Sequence, residues 1–275
     1  MAKNKVKELK KEKKVGFWRS QRYSFLDSFR HIASKKFVVS AILDLLALII
    51  CAFMLSTGWM MINLVSSQAV PELMKMHELR ITNQTEALNQ ASFDYGITYK
   101  NIMIHSMIIG VCTFVLFCMM VSIFYGGAWL ISRDRKFSSL FLKKYFAFNI
   151  LWFMLWFIII AGSAALFIIS AAKLIIFLEM IIFFFTDFAV RSAFDEKKKI
   201  SASFGYFLKT IAKAWFFIIF IISSLLVWVI LLSINGLFKS NDLVFMIVFV
   251  LFTTFFMGWA RNYVNSLVDN IDRKI

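Results

Sequence analysis

The sequence predicts an all-α, polytopic membrane protein of six transmembrane helices, arranged as three hairpins with a preceding interfacial amphipathic helix before each. Three observations carry this. Hydrophobic residues make up 60% of the 275, with 33 Phe and one Pro, which leaves too little polar surface to cover a soluble domain. Charged residues are 17% of the chain and lie almost wholly outside the apolar runs. That segregation is what hydrocarbon demands of a chain that must satisfy its backbone internally and keep charge out. Of the 31 Lys/Arg, 26 fall in four segments: the N-terminal region to residue 36, residues 132–149, residues 191–213, and the tail from Arg261. The positive-inside rule then puts those segments, and both termini, on the cytoplasmic side.

Residues 1–16 form a basic cytoplasmic tail, with Lys3 through Lys14 attracted to lipid. From Phe17 apolar residues recur at helical spacing among Arg19, Arg22 and Arg30, predicting a helix lying in the interface. The first span covers Phe37 to Val65. It is too long for the apolar region of a signal peptide and is read as a retained span. At about 43 Å of helix it exceeds a hydrocarbon core of about 30 Å, so it tilts or projects. Pro71 marks a break, and residues 66–100 form a mixed polar connection on the outer side. The second span runs from Ile102 to Ile131 and stops at Arg133, Asp134, Arg135 and Lys136.

Next comes an amphipathic stretch, Phe137 to Lys144. Residues 145–191 are too long for one crossing and are divided near Ser170 to Lys173, into spans 145–169 and 174–191. Phe204 to Lys213 is a third aromatic and basic stretch, before spans 214–234 and 243–260. Turn chemistry between these lies in Asn235-Gly236 and Ser240-Asn241-Asp242. The single membrane domain is 17–264, with hairpin units 17–133, 134–193 and 200–264; residues 265–275 are a cytoplasmic tail.

One unit recurs in these three hairpins. Phe29 and Lys36 are matched in spacing by Phe137 and Lys144, then by Tyr206 and Lys213, and the returning helices end near Arg133, Arg191 and Arg261. Interface anchoring alone favours aromatic and basic residues at such positions; the common seven-residue spacing adds an internal repeat. Through Ser28-Phe29-Arg30 to Lys36-Phe37, Phe137 to Lys144-Tyr145, and Phe204 to Lys213, the chain resembles bacterial YciC-like proteins and the membrane domains found ahead of glycerophosphodiester phosphodiesterases. The resemblance implies a helical membrane module, often without assigned chemistry, and transfers no catalytic motif to any residue here.

Polar residues inside the spans need a reason, because charge in hydrocarbon is costly. Asp44 lies about 10 Å into the first span and must face protein, water or a base. Glu179 and Asp187 are two helical turns apart and share a face; Asp187 and Arg191, four apart, are set to pair. A ladder of Asp44, Glu179 and Asp187 would pass a cation or protons if it converged in a wet cavity. His105 is an intramembrane candidate for a proton relay or an interhelical hydrogen bond. His31 belongs to the interface, and His77 to the outer connection. Gly126-Gly127-Ala128 and Ala161-Gly162-Ser163-Ala164-Ala165 offer small surfaces for close helix packing. Asn83-Gln84-Thr85 fits a glycosylation acceptor on the outer side.

No nucleophile, base and oxyanion-stabilising set is spaced for catalysis, so no catalytic residue is assigned. Cys51, Cys112 and Cys118 lie in apolar segments without ligand spacing; no metal and no cofactor is expected. The net charge of +15 is matched to anionic lipid at the cytoplasmic face rather than to nucleic acid, since no reading module accompanies it. The leading expectation is a noncatalytic module of the cell membrane that binds lipid or a partner membrane protein, or its own copy, and supports assembly, trafficking or export. The alternative is a small transporter, scramblase or channel working through the intramembrane carboxylates.

Overall fold

The computed structural model describes residues 17–30, 32, 34–82, 84–167, 169–212, 218–237 and 242–272. Among them the regular structure is helical throughout: α1 (Phe17–Arg30), α2 (Lys35–Ser66), a 3-10 turn (Ser67–Ala69), α3 (Val70–Ile81), α4 (Thr85–Met120), a π-helical turn (Val121–Tyr125), α5 (Gly126–Ser132), α6 (Ser139–Leu166), α7 (Ile169–Ala193), α8 (Ile200–Ala212), α9 (Ile218–Leu237) and α10 (Asp242–Asp272). Four helical runs, Lys35–Ile81, Thr85–Ser132, Ser139–Leu166 and Val244–Val268, are long and apolar enough to cross a bilayer. Only 17–33% of their most apolar stretches is buried inside the protein. Side chains such as Phe53, Trp59, Met107 and Phe157 stand outward. Water would not tolerate so continuous an apolar surface, whereas acyl chains require it. The chain is an integral membrane protein with several spanning helices.

The chain divides into two units, Leu46–Ile123 and the remainder, residues 1–45 with 124–275. In the first, α3 and α4 pack as a hairpin, with Ala91 buried. The break expected at Pro71 is a local one: α2 ends at Ser66, and the 3-10 turn Ser67–Ala69 separates it from α3. Pro71 occupies the first turn of α3, where its missing N–H needs no acceptor. The connection expected between residues 66 and 100 is therefore mostly helix, its tip at Thr82, whose Oγ1 donates to the carbonyl of Glu78 at 3.0 Å. Gly58 sits against Thr113: a Cβ there would lie 2.6 Å from Thr113 Oγ1, so α2 and α4 approach as closely as they do only because the position is glycine.

In the second unit, α5 ends in a Schellman motif. Arg135 N–H returns to the Leu130 carbonyl (2.9 Å) and Asp134 N–H to that of Ile131 (3.2 Å), with Asp134 left-handed at φ 55°. Ser138 then caps α6, its Oγ accepting from Phe141 N–H at 3.0 Å. From that cap the helix runs unbroken to Leu166, so Phe137 to Lys144 is not a separate interfacial helix. Nothing after Lys144 breaks the helix, and the stretch becomes the first turns of a span. The reversal to α7 falls at Phe167, which is extended at φ −110°, ψ 150°, rather than at Ser170 to Lys173, which lies inside α7. Helix α9 also continues through Asn235-Gly236 to Leu237, so that pair makes no turn. The Ser240-Asn241 part of the second turn, His31, Asn83 and Lys213 lie outside the described residues.

The core of this unit is an aromatic column on α6. Phe141, Tyr145, Phe148, Trp152 and Trp156 follow the 3–4 spacing of one face, all 4% exposed or less, and pack against Val190, Phe194, Phe204 and Phe207. Helix α1 lies on α10. Tyr263 Oη donates to Gln21 Oε1, Ser266 Oγ to Ser24 Oγ at 3.2 Å, and the Phe25 ring meets Trp259 edge-on at 5.9 Å.

Candidate functional site

Near the C-terminal end of α7, one helical turn brings Asp187 beside Arg191, whose Nε donates to Asp187 Oδ1 at 2.7 Å. Its Nη1 reaches α6, donating to Tyr145 Oη and Asn149 Oδ1, each at 2.7 Å. Tyr145 and Asn149 are themselves four apart, so one face of α6 supplies both acceptors. The glycine at 126 makes room for this. A Cβ there would stand 2.9 Å from the Tyr145 ring, displacing the hydroxyl that Arg191 uses.

A second pair stands beside the first. Arg261 Nη2 of α10 donates to Asp44 Oδ2 of α2. Both side chains are 0% exposed, and 217 residues separate them. Among the described residues, Asp44 Oδ1 and Arg261 Nε and Nη1 have no further hydrogen-bond partner. The guanidinium instead lies 5.6 Å from the ring centroids of Tyr125 and Trp129, and that of Arg191 lies 5.0 Å from Tyr125. Tyr125 thus serves both cations through its π face. It ends the π-helical turn, whose extra residue shifts the helical phase just before Gly126. The close approach of Phe37 to Gly258, where a Cβ would fall 2.9 Å from the ring, packs the start of α2 onto α10 near Arg261.

A third arginine ties the helix ends. Arg133 donates from Nε to Asn265 Oδ1 and from Nη2 to Ser192 Oγ, both at 3.1 Å. Ser192 Oγ donates to the same Asn265 oxygen at 2.8 Å, and Asn265 Nδ2 donates to Ser132 Oγ at 3.2 Å. The C-terminal turns of α5 and α7 are thereby joined to α10.

Of the residues singled out by sequence, Asp44, Asp187 and Arg191 come together around Tyr125. Glu179 does not join them: its Oε1 accepts from Ser163 Oγ at 2.5 Å, and its Oε2 has no hydrogen-bond partner among the described residues. His105 is exposed and bonds the Asn101 carbonyl through Nδ1 at 2.7 Å. Lys36 pairs with Asp134 at 2.5 Å, both exposed. Lys144 donates to the carbonyls of Glu196 (2.6 Å) and Lys198 (3.1 Å), while Ser138 donates to Glu196 Oε2 at 2.7 Å. Phe29 and Phe137 are exposed, and Tyr206 is half-buried. Sequence reasoning gave no polar role to Tyr125, Tyr145, Gln21 or Tyr263. For Tyr145 and Asn149 the signal was the four-residue spacing on an otherwise apolar helix face.

Chemically, each carboxylate of the cluster is matched by one guanidinium. Such pairs neutralise charge in a low-dielectric interior and specify which helices meet. Among the described residues no group of three or more His, Cys, Asp or Glu side chains is gathered to hold a metal ion. No protein-family model, curated protein or solved structure matches the chain.

Proposed function

We propose that this protein is a noncatalytic membrane module of six spans in three hairpins, with both termini cytoplasmic, that binds lipid or a partner membrane protein and supports assembly, trafficking or export. The observation that carries this reading is the one-to-one closure of Asp44 by Arg261 and of Asp187 by Arg191. A relay for cations or protons needs carboxylates that release and regain partners; these two are each held by a guanidinium enclosed in aromatic rings. The hairpin repeat draws support from a shared contact. Lys36 and Lys144, at the starts of the first two outward helices, each bond the connection after the returning helix of the same hairpin, at Asp134 and at Glu196 with Lys198.

The transport reading rests on Glu179, whose second oxygen is buried without a hydrogen-bond partner among the described residues. Vesicles reconstituted with the purified protein decide between the two. Proton, potassium and fluorescent-lipid flux equal to that of empty vesicles is the expected result. Flux that depends on the protein and changes with Glu179→Gln would replace the module by a transporter. Labelling of single cysteines at positions 100 and 198 in sealed vesicles tests the span count, since the proposed topology puts them on opposite sides.

A further inference from the structure

Helix α1 is packed inside out. Among its described side chains, residues 21–30, those it buries are Gln21, Ser24 and Ser28, all 0% exposed, while Tyr23, Leu26 and Phe29 are 59%, 49% and 46% exposed. At 100° per residue, Arg22, Tyr23, Leu26 and Arg30 fall within an arc of about 100° on the side away from α10, and Phe29 stands at its edge, its ring centroid 5.9 Å from that of Trp259. Arg22 and Arg30 are exposed, and no ion pair engages either among the described residues. The inward seam buries three polar side chains, two of them bonded from α10 through Tyr263 to Gln21 and Ser266 to Ser24, beside the half-buried Phe25 ring on Trp259. The outward face mixes aromatic and aliphatic groups with guanidiniums and contains no carboxylate.

Water is a poor solvent for such a face. So is pure hydrocarbon, which would strand the two cations. The boundary between acyl chains and phosphates suits both kinds of side chain at once. Location points the same way. Helix α1 ends at Arg30 and the spanning helix α2 begins at Lys35, and a linker this short spans at most about 18 Å. The Arg30 end of α1 is therefore tethered close to the start of a spanning helix. Guanidinium groups fit phosphate through paired N–H donors.

We infer that the outward face of α1 binds the phosphodiester headgroups of anionic phospholipids, with Arg22 and Arg30 on the phosphates and Tyr23, Leu26 and Phe29 among the upper acyl carbons. This deepens the lipid-binding part of the module reading and rests on it. The seam to α10 fixes the rotation of the helix, so the face is displayed before any lipid arrives.

Native mass spectrometry of the full chain in detergent, titrated with dioleoylphosphatidylglycerol or dioleoylphosphatidylcholine, tests the assignment. The first phosphatidylglycerol is expected to bind wild type more tightly than the first phosphatidylcholine. Arg22→Gln with Arg30→Gln should weaken phosphatidylglycerol binding roughly 30-fold, at ~1 kcal/mol for each basic residue facing an anionic surface, and leave phosphatidylcholine unchanged. Removing two charges elsewhere, by Lys75→Gln with Lys100→Gln, should change neither. Equal phosphatidylglycerol binding by wild type and the Arg22/Arg30 variant overturns the assignment, as does equal weakening by the Lys75/Lys100 variant. Displacement of phosphatidylglycerol by hexaglutamate would give the face to an acidic protein segment instead. The module reading fails by a different readout, protein-dependent flux in vesicles.

Discussion

Replacing Asp44 by Leu leaves the Arg261 guanidinium buried with no carboxylate to receive it. The cost is set by the surroundings. Both side chains are fully buried, and among the described residues Asp44 is the one hydrogen-bond acceptor that Arg261 has. Removing one member of a buried pair costs about 3–5 kcal/mol, because the remaining charge is stranded; replacing both with apolar groups is often neutral or better. Two contributions survive or vanish separately. The rings of Tyr125 and Trp129 still face Arg261 in Asp44→Leu and return part of the loss, roughly 0.5–2 kcal/mol each. They lose the cation in Arg261→Met. We therefore expect each single variant to lose about 3 kcal/mol and Asp44→Leu/Arg261→Met to lie within about 2 kcal/mol of wild type. At about 2–4 °C per kcal/mol for chains of this size, the single variants should melt roughly 10 °C lower. The assay is a double-mutant cycle on thermal unfolding in lipid nanodiscs, followed by tryptophan fluorescence. Neutral polar pairs between membrane helices couple by about 0.6 kcal/mol on average and at most about 1.7, so coupling above about 2 kcal/mol identifies an ion-pair clasp. Additive single-variant losses, with no coupling, would refute the reasoning.

Gly58→Ala forces a methyl group into Thr113 and should cost about 1–3 kcal/mol, with Thr113→Ala in the same chain recovering most of it, measured by the same unfolding assay. Lys144→Met removes two hydrogen bonds that hold residues 196–198 against the start of α6; at about 2 kcal/mol for the two, trypsin should cut at Lys197 to Lys199 roughly 30-fold faster, and an unchanged cleavage rate would count against the latch. Tyr263→Phe deletes the donor to Gln21 and should speed hydrogen exchange across α1 roughly fivefold, for a bond worth about 1 kcal/mol, while α6 amides stay protected.

The helices were legible in the sequence because the hydrophobic runs and their charged stops are local. So was the Asp187–Arg191 pairing, which one helical turn defines. Asp44 declared that it needed a partner but could not name Arg261, since nothing within 200 residues of it identifies an arginine on another helix as the one that will arrive. Phe137 to Lys144 misled for a related reason: like α1 it mixes aromatic and basic residues, and the difference lies in the residues after it. Beyond Arg30 the chain leaves helix before α2, whereas beyond Lys144 helix-forming residues continue without interruption. For α1 the pattern was readable and its orientation was not. Periodicity shows that polar and apolar residues segregate, but only Tyr263 and Ser266, more than 240 positions away, make the polar side the buried one. The break at Phe167 rather than Ser170 to Lys173 shows the ordinary limit on locating a reversal within one long apolar run.

The seam between α1 and α10 also sets an order of events during synthesis. Gln21 and Tyr263 are 242 positions apart, so at roughly 5–20 residues per second a ribosome needs on the order of ten seconds to a minute to make the partner after α1 has emerged. During that interval Gln21, Ser24 and Ser28 have no α10 to bond, and their polar face must be met by water, headgroups or an attendant protein. Asp44 waits almost as long, inside a span already delivered to the membrane, for Arg261. The nascent chain therefore passes through a long-lived stage in which α1 and α2 are placed but unsecured, until α10 is made and locks them.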